Sequence, residues 1–89
     1  MGYKIIPTKT FENSLRKLDH SIAKKLIKKI DELEKNIHNI LPLHFVSKQL
    51  IGLCKYKVGE WRILLWLDRA KKEIILYHIG HRKEIYRNL

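Results

Sequence analysis

A chain of 89 residues makes one domain with a modest core, since polypeptides this short rarely divide. With 19 Lys and Arg against 9 Asp and Glu its formal net charge is +10, a field that suits a polyanion, nucleic acid first, and would also attract an acidic protein or an anionic membrane. The lone cysteine, Cys54, excludes an internal disulfide, and Lys4-Ile5-Ile6-Pro7 offers no apolar run fit for a signal peptide or membrane span, so a soluble, cytoplasmic protein is expected.

In chain order, the β-branched and aromatic run Tyr3 to Ile6 reads as a first strand that Pro7 ends. Thr8 or Thr10 can cap a short helix with Phe11, Leu15 and Leu18 on one face. Asp19 stands as the N-cap of a longer helix in which Ile22, Leu26, Ile30, Leu33 and Ile37 recur at four, four, three and four, the clearest period in the chain. Lys24, Lys25, Lys28 and Lys29 occupy its other faces. They form either a solvated surface or an RNA- or ribosome-binding one. Residues 38–49, with Pro42 and two histidines, read as a loop. From Leu50 the pattern turns to strands: Leu50 to Val58, a tight turn at Gly59-Glu60, Trp61 to Asp68, a turn through Arg69 to Lys72, then Glu73 to Ile79. Two short turns make an antiparallel meander. The expected fold is α+β over residues 1–89, two N-terminal helices packed on one face of a small antiparallel β-sheet with the first strand at an edge.

Strand alternation sends Lys55 and Lys57 to one side of their strand and Cys54, Tyr56 and Val58 to the other, facing the core. Two lysines on a short strand serve equally as edge protection. Arg62 follows the hairpin turn on the paired strand, between Trp61 and Ile63-Leu64-Leu65; a purely structural Arg62 would pair with Asp68 or Glu60. Beyond the last strand come Gly80-His81-Arg82 and Tyr86, which put an imidazole, a fixed cation and a phenol near one another. That combination suits phosphodiester chemistry or phosphate binding. Arg82 and Tyr86 share a side if the tail forms a helical turn; an ordinary tail with a packed tyrosine is the alternative. The histidines His20, His38, His44, His78 and His81 are scattered, with no Cys or carboxylate at zinc-ligand spacing, and no glycine-rich phosphate loop occurs. No metal and no cofactor is therefore expected. Cleavage without a metal points to RNA, whose 2′-hydroxyl is an internal nucleophile beside the phosphorus.

At these residues nearly the whole chain resembles the RelE/ParE toxin superfamily, and specifically its ribosome-dependent mRNA endonuclease branch. The resemblance runs through the short strand, the two helices with a leucine-aspartate junction at Leu18-Asp19, and Lys55-Tyr56-Lys57-Val58-Gly59-Glu60-Trp61-Arg62. That stretch matches the family's lysine-x-lysine, turn, aromatic-arginine pattern, and Ile79-Gly80-His81-Arg82 with Tyr86 matches its glycine-histidine-arginine and tyrosine.

The resemblance implies a RelE-like, microbial RNase-like architecture and a toxin of a type II toxin-antitoxin system, held inactive by a cognate, RelB-like antitoxin. Such a toxin enters the ribosomal A site and cuts mRNA as a metal-independent endoribonuclease, leaving 2′,3′-cyclic phosphate ends and inhibiting translation. By position, Lys55 and Lys57 fall on the basic pair that stabilises charge at the scissile phosphate, Arg62 on the phosphate-binding arginine, Arg82 on the proposed general acid and Tyr86 on the proposed general base. The hairpin turn is shorter than in the best-known members, and His81 stands where some carry lysine. Related toxins use histidine and glutamate as acid and base, which makes His81 and Glu84 secondary candidates. The ParE branch, whose members inhibit DNA gyrase without catalysis, shares the fold and often the ending. A gyrase inhibitor and an RNA-binding member that has lost activity are thus the rival expectations.

Overall fold

Thr8 ties the first strand to the first helix and both to the last strand. In this computed structural model, which describes residues 2–87 and 89, the Thr8 hydroxyl accepts from the Phe11 N–H at 3.2 Å and donates to the Leu76 carbonyl at 2.8 Å. The first contact satisfies an orphan donor at the start of helix α1 (Lys9–Arg16). The second continues the parallel pairing of β1 (Lys4–Pro7) with β5 (Glu73–His81). Between β1 and β5 lie α2 (His20–Ile30), a 3-10 helix (Leu33–Asn39), β2 (Leu41–Pro42), a 3-10 turn (Lys48–Leu50), β3 (Cys54–Val58) and β4 (Trp61–Asp68). The sheet order is β1-β5-β4-β3-β2, so the expected meander forms its centre and β1 lies at an edge.

The two faces of the sheet are covered differently. On one face Phe11, Leu26, Ile30 and Leu33 from the helical segments close over Ile63, Leu65, Ile74, Leu76 and Ile79. On the other, Leu50, Leu53, Leu64 and Ile85 form a smaller cluster, with Leu43, Val46, Trp66, Tyr77 and Leu89 against it.

A β-bulge in β5 sets which residues share a face. Leu64 pairs with His78 but Leu65 pairs with Leu76, so Tyr77 is left over. Leu76 and Ile79, three apart, therefore both enter the helix-covered core. The Ile79 N–H donates to the buried Ser14 hydroxyl at 3.2 Å, and that hydroxyl donates to the Phe11 carbonyl at 2.8 Å. Beyond the bulge, Gly80 stands opposite Arg62 and His81 opposite Trp61.

Several element boundaries differ from the sequence expectation: Pro7 is the last residue of β1 rather than its stop, and β2 forms inside the stretch 38–49 expected as a loop. The long helix stops at Ile30, although Leu33 is still fully buried. Asn36 explains part of this, because its side-chain amide donates to the Glu32 carbonyl at 2.9 Å, the acceptor an α-helix would reserve for the Asn36 backbone N–H. The strand expected from Leu50 begins only at Cys54, since Gly52 at φ +88° turns the chain and leaves Ile51 exposed. The last strand runs on to His81, past the expected end at Ile79.

Candidate basic site on the open face of the sheet

Lys55, Lys57, Arg62, Arg82, Lys83 and Tyr86 line one open pocket of about 380 Å³. Alternation along β3 and β4 puts Lys55, Lys57 and Arg62 on the face away from the helices, with Lys57 directly opposite Arg62 in the ladder. The C-terminal turn closes the pocket. Its Glu84 and Ile85 N–H groups both donate to the His81 carbonyl at 2.9 Å, and the Arg82 N–H donates to the Glu60 carbonyl at 2.8 Å, tying the tail to the β3–β4 hairpin. Ile85, 3% exposed, anchors the turn in the smaller cluster. It fits because Gly80 lacks a side chain, as a Cβ there would stand 3.1 Å from the Ile85 Cδ1. So held, Arg82 and Tyr86 face the same pocket, as a helical turn requires.

Arg62 is fixed by the hairpin. Its Nη1 donates to the Gly59 carbonyl at 2.8 Å and the Trp61 carbonyl at 2.9 Å, while its buried Nε has no hydrogen-bond partner. It pairs with neither carboxylate expected of a structural arginine. The Asp68 side chain accepts from the Lys71 N–H at 3.0 Å, and Glu60 lies 3.6 Å from the Arg82 Nε. The Lys55 ammonium sits 5.8 Å from the centre of the Tyr86 ring, a cation–π contact that orients both. The arrangement can take an anion with several oxygens and present it to a phenol and a guanidinium.

The structure therefore brings together Lys55, Lys57, Arg62, Arg82 and Tyr86, and adds Lys83, which the sequence analysis did not single out. Only its position beside Arg82 could have suggested it. It does not bring His81 to them. The His81 ring stands edge-on to Trp61 at 5.4 Å, its Nδ1 accepts from the Lys83 N–H at 3.1 Å, and its Nε2 lies 4.0 Å from Glu60. With Glu84 it lines a separate cavity against α1. The four lysines of α2 lie across the sheet from the pocket: Lys24, Lys25 and Lys28 are exposed, and Lys29 pairs with Glu32 at 3.7 Å. Burial pushes the Cys54 thiol up, partly offset by the Arg69 charge, and the thiol donates to the Gly52 carbonyl at 3.4 Å. Neither fact suits a nucleophile. Among the described residues no three His, Cys, Asp or Glu side chains gather as a metal-binding group, and no helix is long and apolar enough to cross a membrane.

The family model for the ParE toxin of type II toxin-antitoxin systems, parDE, matches residues 5–86. Among solved structures the chain is similar to the toxin-antitoxin complex RelBE2 from Mycobacterium tuberculosis, with a TM-score of 0.77 at 21% identity over 92% of this chain and 100% of that one. It is also similar to the archaeal RelE-RelB complex from Pyrococcus horikoshii, with a TM-score of 0.71 at 17% identity over 94% of this chain and 99% of that one. For the isolated RelE toxin of E. coli the TM-score is 0.65 at 18% identity, over 96% and 92% of the two chains. A comparison with curated proteins finds no match. At these identities the structural likeness shows the fold.

Proposed function

This chain belongs to the RelE/ParE superfamily of toxins of type II toxin-antitoxin systems, and from that membership we propose that its basic pocket is the active centre of a ribosome-dependent mRNA endonuclease. The observation that carries the reading is the convergence of four cations, Lys55, Lys57, Arg62 and Arg82, with the Tyr86 phenol around one opening. In the proposed reaction Tyr86 takes the proton from a ribose 2′-hydroxyl, whose oxygen attacks the adjacent phosphorus. Lys55, Lys57 and Arg62 stabilise the dianionic phosphorane. The bond to the 5′-oxygen breaks and Arg82 supplies its proton, leaving a 2′,3′-cyclic phosphate and a 5′-hydroxyl.

The RelE relatives in two of these structures are complexed with RelB antitoxins. We read this chain, with its charge of +10, as the partner of an acidic, amphipathic antitoxin segment that neutralises or displaces the C-terminal turn. The α2 lysines and the rest of the basic surface would contact ribosomal RNA. One observation favours a second reading, the ParE-like gyrase inhibitor, since the matching family model is the ParE one.

A cell-free translation reaction separates the two. Added toxin is expected to stop synthesis and to cut mRNA inside the A-site codon, with cyclic phosphate ends. Intact message together with trapped gyrase–DNA cleavage complexes would overturn the nuclease in favour of the gyrase inhibitor.

A further inference from the structure

Lys55 and Tyr86, which line the basic pocket, also line an adjoining groove of about 390 Å³ whose other walls come from residues 42–46 and Leu89. At its rim Phe45 is fully exposed and holds φ +61°, a conformation an aromatic residue rarely adopts. The backbone that carries the ring is held on both sides. On either side Leu43 and Val46 turn inward to the smaller cluster, the Leu43 N–H donates to the Leu53 carbonyl at 3.0 Å, and the His44 ring stands edge-on to Phe45 at 6.5 Å. The left-handed turn at Phe45 is what points one large apolar ring outward between two half-buried anchors.

We propose that this groove seats an unstacked nucleobase of the RNA strand whose phosphate occupies the basic pocket, with Phe45 as its stacking platform. The inference rests on the RNA-cleaving reading above and deepens it. Because Lys55 and Tyr86 belong to both cavities, a ligand spanning them carries an anionic part and a flat apolar part side by side, as a nucleotide does. Single-stranded RNA is held by this pairing of cations for phosphates and aromatic faces for splayed bases. The exposed Phe45 ring touches no core cluster, so packing does not account for it.

The test uses ribosomes programmed with an mRNA whose A-site codon is 2′-O-methylated and so cannot be cut, intact or with one abasic position at a time. Affinity is measured for the wild-type toxin, Phe45→Ala and Phe45→Trp, with thermal unfolding to verify that each variant is folded. At one codon position, loss of the base is expected to weaken wild-type binding by about 5-fold or more. Phe45→Ala should bind the intact codon as weakly as the wild type binds that abasic one, lose little more on the abasic codon, and regain affinity as Phe45→Trp. Wild-type affinity in Phe45→Ala, or a loss that simply adds to the abasic loss, overturns the base subsite and leaves the nuclease reading standing. Unchanged ribosome binding with weakened binding of a co-expressed antitoxin overturns it in favour of a peptide groove. A wild-type toxin that ignores programmed ribosomes overturns both readings together.

Discussion

The two faces of the sheet differ in what covers them. Eleven buried residues make up the helix-covered cluster and four make up the other, counted among the described residues. Hydrophobic stabilisation scales with apolar area removed from water, so the helix-covered face carries most of the stability. The opposite face gives up apolar cover to hold five cations and a phenol near one another, where mutual repulsion disfavours the folded state. Stability and chemistry should therefore respond to mutation on opposite sides of one sheet.

The largest expected effects make the sharpest form of that contrast. Arg82→Ala should lower cleavage on saturated ribosomes by roughly 10²–10³, as loss of a preorganised transition-state donor does. It should leave thermal stability nearly unchanged, because Arg82 and its partner Glu60 are each 53% exposed and such pairs contribute little. Tyr86→Phe should lower the rate as well while keeping the ring that Lys55 covers. Leu65→Ala, at a position with no exposure beneath the helices, should do the reverse: a loss of about 2–5 kcal/mol in denaturant unfolding, with the rate per folded molecule largely kept. Wild-type rates in both Arg82→Ala and Tyr86→Phe would remove the site assignment.

Gly80→Ala tests the place where the two faces meet, and its effect should be intermediate. The added methyl meets the Ile85 Cδ1 at 3.1 Å, so Ile85 must give by a few tenths of an ångström and carry the turn bearing Arg82 and Tyr86 with it. The expected cost is about 1 kcal/mol in stability and a larger loss, roughly tenfold or more, in cleavage, because reacting groups must sit in register. A stability loss with unaltered cleavage would mean that the tail's anchor does not position the chemistry.

Most of this division was legible in the residues, and the gaps have physical causes. Alternation over Cys54-Lys55-Tyr56-Lys57-Val58 correctly separated the basic side from the core side, because a strand's period admits one solution. The period of Ile22, Leu26, Ile30 and Leu33 located a buried face but not the end of the helix, since Leu33 stays buried after the α-helix stops. A competing side-chain bond at Asn36 acts there, and hydrophobic spacing does not register it. His81 lay outside what spacing could decide. Its face depends on the bulge at Tyr77, and a bulge adds one residue without a distinctive residue type in Leu76-Tyr77-His78. The second apolar cluster was hidden for a different reason: Leu50, Leu53, Leu64 and Ile85 come from four separate segments and show no common period. Gly52, isolated in an apolar run, was the one available sign that the strand begins late.

The smallest expected effect lies at the bulge itself. His78 is half-buried beside it, and burial first, then the Lys17 charge, lowers its pKa below the ordinary value, with Nδ1 buried and unpartnered. Lys17 at the C-cap of α1, His81 at the end of β5 and Glu84 from the C-terminal turn line the same cavity. Because the folded state resists the proton that the unfolded chain accepts, the unfolded state binds more protons between the two values. Stability contributed by neutral His78 is thus fully present above the unfolded value near 6.5 and declines as the pH falls below it toward the lowered folded value. Half-exposure lets solvent screen the charge, so the effect should be small. Urea midpoints at pH 7.5 and 5.0 should drop more in wild type than in His78→Gln, with His81→Gln as the control for the neighbouring imidazole. Equal drops in wild type and His78→Gln would place the acid sensitivity elsewhere in the cavity, and a greater drop in His78→Gln would reverse the sign argued for the buried nitrogen.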